Sequence, residues 1–207
     1  MKIMIMGAGG QGAPCASVLS RDPDVSKIKL CDIDESLLQK VKERINSPKI
    51  TIAKVNAADS DRIAREAEGM DAIIDLVTPK FFTNVMKGAI KARTNYVNTA
   101  WEEYLFEGFK EKGIQLGSKL KMNDDFVKNN STAVLGCGMT SSYTTNVIIR
   151  YYVDQLDTVE SIKIRLAKKD LTISDEQEII TAWNPRQAIL DFVVPTFKFV
   201  NGGCFFN

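Results

Sequence analysis

The sequence predicts an α/β protein: a doubly wound parallel sheet over residues 1–138, then the start of an α+β substrate-type domain over residues 139–207. Three observations predict it. Short apolar runs alternate with amphipathic helical stretches through the first two thirds of the chain. The first run leads straight into a cluster of glycines, "MKIMIMGAGGQG". After Gly138 the alternation gives way to mixed, half-apolar segments.

In chain order, "KIMIM" at Lys2 is the first strand, and a helix from Gln11 to Ser20 follows the glycines. "KIKLC" at Lys27 is the second strand. Glu35 to Asn46 follows as a helix, with Leu38, Val41 and Ile45 on one stripe and Lys and Glu outside. "ITIAKV" at Ile50 is the third strand, and Asp61 to Glu68 is a helix that Asp59 or Ser60 can cap. "DAIIDLV" at Asp71, a helix from Lys80 to Ala92, "NYVNTA" at Asn95 and "STAVLGC" at Ser131 complete the series. Such nearly continuous apolar strands are expected where a parallel sheet is covered on both faces. Beyond Gly138, Thr144 to Leu156 reads as an amphipathic helix. "VESIKIRLAKK", from Val159, alternates as a strand with one wet face does. "TAWNPRQAILDFVVPTFKFVNGG" mixes a turn, a short helix and a last strand.

Whole-chain properties narrow the function classes. With 27 Lys+Arg against 26 Asp+Glu, no strong field recruits nucleic acid or an anionic membrane surface. No apolar run is long enough to cross a bilayer, and the N-terminus reads as a strand without signal-peptide organisation; a cytoplasmic location is expected. Cys15, Cys31, Cys137 and Cys204 are widely spaced, which suits reduced thiols and no metal site. The chain has no histidine, so proton transfer falls to Lys, Asp, Glu, Tyr, Cys, water or a substrate.

Gly7, Gly9 and Gly12 form a G-x-G-x-x-G between a strand and a helix, which is the context a dinucleotide-binding Rossmann fold needs. Gly7 permits the tight turn, Gly9 lets a pyrophosphate meet bare backbone, and Gly12 lets the helix lie close. Gly10 and Gln11 belong to the same expected cradle, where the helix N-terminus offers unpaired amides. Asp32, twenty residues after Gly12, ends the second strand and is placed to accept from both ribose hydroxyls. Its charge repels a 2′-phosphate, and its neighbours Ile33 and Asp34 supply no arginine, so NAD is favoured over NADP. The plain alternative is that the glycines only make a turn and Asp32 only caps the next helix. Further contacts are expected beyond the carboxyl ends of later strands: Ile33 beside Asp32, Asn56 and Ala57 at the adenine, Thr78 and Pro79 under the nicotinamide ribose, then Thr99 and Cys137.

Three stretches, "GAIKARTNYVNTAWEEYLFEGFKEKGIQ", "AVLGCGMTSSYTTNVIIRYYVDQLDTVESIKI" and "AWNPRQAILDFVVPTFKFVNGG", together resemble the saccharopine dehydrogenase family across nearly the whole chain. That resemblance implies a pyridine-nucleotide oxidoreductase working on the C–N bond of an amino acid or polyamine derivative, with hydride passing between substrate carbon and nicotinamide through an imine. Saccharopine reductases, lysine 6-dehydrogenases and carboxynorspermidine dehydrogenases are of this kind. Asn98 stands where the family has aspartate, and Ser142 and Tyr143 stand where it has Pro-Gly, while Thr145 and Asn146 keep its pattern. Relatives of this type run further than Asn207, so the chain reads as truncated in its substrate domain. Phe197, Phe199, Phe205 and Phe206 would then want partners, and a homodimer through that sheet is expected; the plain alternative is that they are core residues of a compact small subdomain.

The candidate catalytic residues are Asn98, Thr99, Tyr143 and Asn146, with Glu102, Trp183 and Arg186 as possible pocket residues. Each also has an ordinary explanation as a cap, loop or core residue. A second functional reading is a non-catalytic NAD-binding sensor, because "MKIMIMGAGGQG" also resembles the regulatory domains of potassium channels and transporters.

Overall fold

A computed structural model describes residues 1–99, 122–138, 143–163, 197–200 and 203–206. It shows the expected α/β class. Six strands form one sheet: β1 (Lys2–Met6), β2 (Lys27–Asp32), β3 (Ile50–Lys54), β4 (Ala72–Asp75), β5 (Asn95–Asn98) and β6 (Ala133–Val134). Their order is β3-β2-β1-β4-β5-β6 and every pairing is parallel. The order reverses between β1 and β4, which opens a crevice at the carboxyl ends of those strands.

The unbroken apolar runs resolve into two cores, one on each face. Along β1, Ile3 and Ile5 join Ala16, Leu30, Leu38 and Val41. Met4 and Met6 join Ile63, Val85, Met86, Tyr96 and Phe126 on the other side. A strand's alternation is therefore present but feeds apolar residues to both faces.

Helices α1 (Gly12–Ser20) and α2 (Glu35–Ile45) cover the first face; α3 (Ser60–Ala67), α4 (Phe82–Ala92) and α5 (Asn123–Lys128) cover the second. Local chemistry sets their ends. Asp34 caps α2 by accepting from Leu37 N–H at 3.0 Å, and Asn46 closes it in the left-handed region at φ 48°. Asp59 caps α3 by accepting from Asp61 and Arg62. A 3-10 turn over Pro79–Phe81 precedes α4, so the helix proper starts two residues after the expected Lys80. Lys29, a cation inside a buried strand, reaches the α3 side. There it donates to the Glu66 carboxylate at 2.9 Å, and Arg62 holds the same carboxylate at 2.7 Å. The hydrogen bond from Lys29 chiefly keeps the Glu66 carboxyl below its ordinary range.

The chain divides into two compact units, Met1–Ala167 and Lys168–Asn207. In the first, α6 (Tyr143–Val153) follows the sheet. The strand expected from Val159 is not found over the described residues 159–163, where Val159 and Ile162 are exposed. A strand needs a paired neighbour, and among the described residues β7 (Phe197–Val200) pairs with β8 (Gly203–Phe206) alone. That antiparallel pair belongs to the second unit and sets Phe197 opposite Phe206 and Phe199 opposite Cys204. No helix among the described residues is long and apolar enough to cross a membrane.

Gly88 on α4 fixes how closely α3 approaches. A Cβ there would lie 2.5 Å from Ile63 Cγ2 and 2.8 Å from Ile63 Cβ. Such overpacking costs about 1–3 kcal/mol. Gly88→Ala should lower unfolding stability by about that much in a urea titration, despite alanine's better helix propensity. An unchanged or raised midpoint would show that the two helices separate freely.

Candidate cofactor site

The turn from β1 into α1 is built by close main-chain approach. Gly7 sits at φ +97°, and a Cβ on it would meet the Leu76 carbonyl oxygen at 2.9 Å. A Cβ on Gly12 would fall 1.7 Å from the Gly7 carbonyl oxygen, so α1 can begin here only with a bare residue. The Gly12 contact is thus with the turn itself more than with the strand. Gly9 differs from both: a Cβ there would meet nothing within 4 Å. Its surroundings are open.

The neighbouring strand pins this turn. Gly7 N–H donates to the Cys31 carbonyl at 2.7 Å, and Ala8 N–H donates to Asp32 Oδ2 at 2.7 Å. The other Asp32 oxygen accepts from Asp34 N–H at 3.0 Å. The cap of α2 is Asp34, so Asp32 does not fill the capping role that the plain alternative assigned it. Helix α1, by contrast with α2 and α3, has no side-chain cap: Gln11 stands at its N-cap without one, and its first turn carries no acid. Among the described residues no acceptor is found for the amides of Gly9, Gly10 and Gln11. Open space, unmatched donors and the positive end of a helix suit an anion. They fit a dinucleotide's pyrophosphate, with Asp32 alongside for the ribose.

The other expected contact residues lie along the same edge. Ile33 is exposed, 60% accessible, directly after Asp32. Asn56 follows β3 with its Oδ1 accepting from Ala58 N–H at 2.9 Å, and Ala57 is buried beside it. Thr78 and Pro79 follow β4 and open the 3-10 turn. Thr99 and Cys137, both half-buried, follow β5 and β6. The register also places Lys54 directly beside Asp32, with its ammonium 3.8 Å from Glu35. That cation was not singled out in the sequence, because it comes next to the acid only through strand pairing.

Of the candidate catalytic residues, Asn98 is fully buried at the end of β5. Its Nδ2 donates to the Tyr96 hydroxyl at 3.3 Å and its Oδ1 accepts from Gly136 N–H at 2.8 Å. Tyr143 opens α6, and Asn146 is exposed on that helix. Glu102, Trp183 and Arg186 lie outside the described residues.

Burial raises the thiols of Cys15 and Cys137 above their ordinary value, and that of Cys31 to about 12 with Glu66 adding to the effect. None is a ready thiolate at neutral pH.

A parallel sheet in this order, with a glycine turn beside the switch point and an acid at the end of the adjoining strand β2, defines an NAD(P)-binding Rossmann domain. The profile described as the saccharopine dehydrogenase NADP binding domain matches residues 3–134, and the chain belongs to that family. The carboxyaminopropylagmatine dehydrogenase of Synechocystis sp. is 23% identical over 167 residues, 78% of this chain and 41% of that enzyme. Among solved structures, apo saccharopine dehydrogenase (L-Glu forming) from Saccharomyces cerevisiae aligns with a TM-score of 0.60 at 15% identity, over 74% of this chain and 31% of the yeast one. A putative myo-inositol dehydrogenase from Sinorhizobium meliloti shares the fold at a TM-score of 0.50 and 13% identity, over 75% of this chain and 41% of the other. The chain therefore spans well under half the length of these relatives.

Because the unfolded Cys31 thiol ionises near 9.0 and the folded one near 12, the stability tied to it is complete below pH 9.0 and lost as pH rises through that window. Alkylation with iodoacetamide at neutral pH, read by mass spectrometry, should leave Cys31 unmodified in the native protein and modify it in denaturant. Rapid native labelling of Cys31 would contradict its placement in the core.

Proposed function

We propose that residues 1–138 are the cofactor-binding domain of an NAD(P)-dependent oxidoreductase acting on the C–N bond of an amino acid or polyamine derivative. The observation that carries this is the uncapped, open N-terminus of α1, facing Asp32 across a turn whose glycines are sterically required. Membership of the saccharopine dehydrogenase family and the likeness to a carboxyaminopropylagmatine dehydrogenase support the C–N chemistry. The proposed setting is a cytoplasmic homodimer taking a small-molecule substrate.

The geometry supports a role for each of these residues in this reading. Amides of Gly9, Gly10 and Gln11 hold the pyrophosphate, and Gly12 and Gly7 keep those amides exposed. Asp32 binds the adenosine ribose while holding the turn through Ala8. Thr78, Pro79, Thr99 and Cys137 line the far half, with Ile33, Asn56 and Ala57 at the adenine end. The nicotinamide, when bound there, supplies the hydride chemistry, and the protein orients it and excludes water. Asp32 favours NAD over NADP; Lys54 is the cation to watch, and its pairing with Glu35 reduces its pull on a 2′-phosphate.

One observation favours the alternative of a nucleotide-binding regulatory module. The Asn98 amide is committed to protein partners, which removes it from direct chemistry. Turnover of saccharopine, lysine or diamines by a full-length form, followed at the nicotinamide absorbance, separates the two readings. Absence of turnover of any of them with binding intact supports the regulatory module.

Binding is tested by titrating NADH and NADPH against unmutated, Gly9→Ala and Asp32→Ala proteins. Gly9→Ala should keep its unfolding midpoint within about 0.5 kcal/mol, since its Cβ enters open space, yet bind at least about tenfold more weakly. Asp32→Ala should weaken NADH more than NADPH, by roughly the 1.5–3 kcal/mol of a charge-assisted hydrogen bond. Tighter binding of NADPH by the unmutated protein would overturn the NAD preference, and full affinity in Gly9→Ala would overturn the pyrophosphate cradle.

A further inference from the structure

Three polar side chains lie fully buried where strands β4 and β5 otherwise carry apolar residues: Asp75, Tyr96 and Asn98. The parallel register pairs Asp75 with Asn98, and Tyr96 lies two residues before Asn98, on the same face of β5. A line of hydrogen bonds joins them. Val77 N–H donates to Asp75 Oδ1 at 3.2 Å, and the Tyr96 hydroxyl donates to Asp75 Oδ2 at 2.7 Å. Asn98 Nδ2 donates to the Tyr96 oxygen at 3.3 Å, while Asn98 Oδ1 accepts from Gly136 N–H at 2.8 Å. The Asn98 main-chain carbonyl accepts from Cys137 N–H at 2.8 Å. The line begins at an amide in the loop after β4 and ends at an amide in the loop after β6. It crosses three strands.

Its polarity in this chain suits an amide at position 98. The Tyr96 hydroxyl donates its one proton to Asp75, and its oxygen accepts from Asn98 Nδ2 on the other side. Gly136 N–H needs an acceptor at the same place, where the chain turns away at φ +68° and the β5–β6 ladder has already ended at Val97–Val134. A side-chain amide serves both at once. A carboxylate accepts from Gly136 N–H but donates nothing to the Tyr96 oxygen, and its charge would be desolvated in a buried place.

We propose that Asn98 is a positioning residue which, through Tyr96 and Asp75, sets the spacing of the loop residues 76–78 after β4 and 135–138 after β6. Those loops are the walls of the nicotinamide half of the crevice, because the adenosine half lies over β1, β2 and β3 in a sheet of this order. This inference rests on the NAD(P)-binding reading. It adds that the two halves of the cofactor are held by separable devices: main-chain amides and Asp32 for one, the buried polar line for the other.

The test compares ADP-ribose, which lacks the nicotinamide, with NADH on the unmutated protein, Asn98→Ala and Asn98→Asp. Asn98→Ala should bind ADP-ribose within about twofold of the unmutated protein but NADH about tenfold more weakly. Asn98→Asp should behave likewise at neutral pH and regain NADH affinity as the pH is lowered into the mildly acidic range. A protonated carboxyl donates and accepts as the amide does, whereas the unmutated protein should show no such rise. Among the described residues, the titratable groups around this position are the Asp75 carboxyl on β4, the Tyr96 hydroxyl on β5 and the Cys137 thiol after β6. Equal loss of both ligands in Asn98→Ala, or no acid recovery in Asn98→Asp, overturns the positioning role and leaves the cofactor reading standing. Failure of the unmutated protein to bind ADP-ribose overturns the cofactor reading, and this proposal with it.

Discussion

The hydrogen bond from Ala8 N–H to Asp32 Oδ2, 2.7 Å long, ties the first turn of the sheet to the end of its neighbouring strand. The turn it holds is one that side chains would destroy. Gly7 passes over the Leu76 carbonyl in a left-handed conformation, and α1 starts beneath the Gly7 carbonyl because Gly12 has no Cβ. With main chain packed on main chain at both points, the turn opens outward. That is the direction in which Gly9 and the uncapped start of α1 are open. The anion affinity proposed for this edge thus rests on a packing constraint and needs no charged side chain.

The contrast among the helices sharpens this. Asp34 and Asp59 satisfy the starts of α2 and α3 locally, so those ends have no need of a ligand. Helix α1 has neither a capping side chain nor an acid in its first turn. On the opposite side of the switch point, the sheet solves a different problem. Strand β6 contributes only Ala133–Val134 to the ladder, and Asn98 continues the pairing with its side chain after Gly136 turns aside. One half of the edge is shaped by missing side chains, the other by a buried polar one.

Much of this was legible in the residues. The six apolar runs became the six strands, because burial on both faces removes the polar positions that would have blurred them. Gly7, Gly9, Gly12 and Asp32 announced the turn, since few other functions require bare backbone at that spacing. What was not legible depends on contacts distant in sequence. The amide of Asn98 looked available for chemistry until Tyr96 and Gly136 were seen to hold it. Lys54 meets Asp32 only through strand register, and Lys29 is tolerated in the sheet only because Glu66 lies across from it. Helix α5 is six residues long, too short to show a stripe, and was missed although Phe126 is buried. The alternation at Val159 suggested a strand, but periodicity supplies no partner, and residues 159–163 pair with none among those described.

The central claim is that main-chain amides at the start of α1 grip a pyrophosphate. Amide chemical-shift mapping of the nitrogen-labelled protein during titration with ADP-ribose tests this most directly. The largest changes should fall on Gly9, Gly10, Gln11 and Gly12, with a smaller response at Asp34 through its hydrogen bond to Asp32, and the amides at the capped start of α3 left in place. If the glycine-turn amides stay still while the protein binds the ligand elsewhere, or if no amide moves at all, the account is wrong.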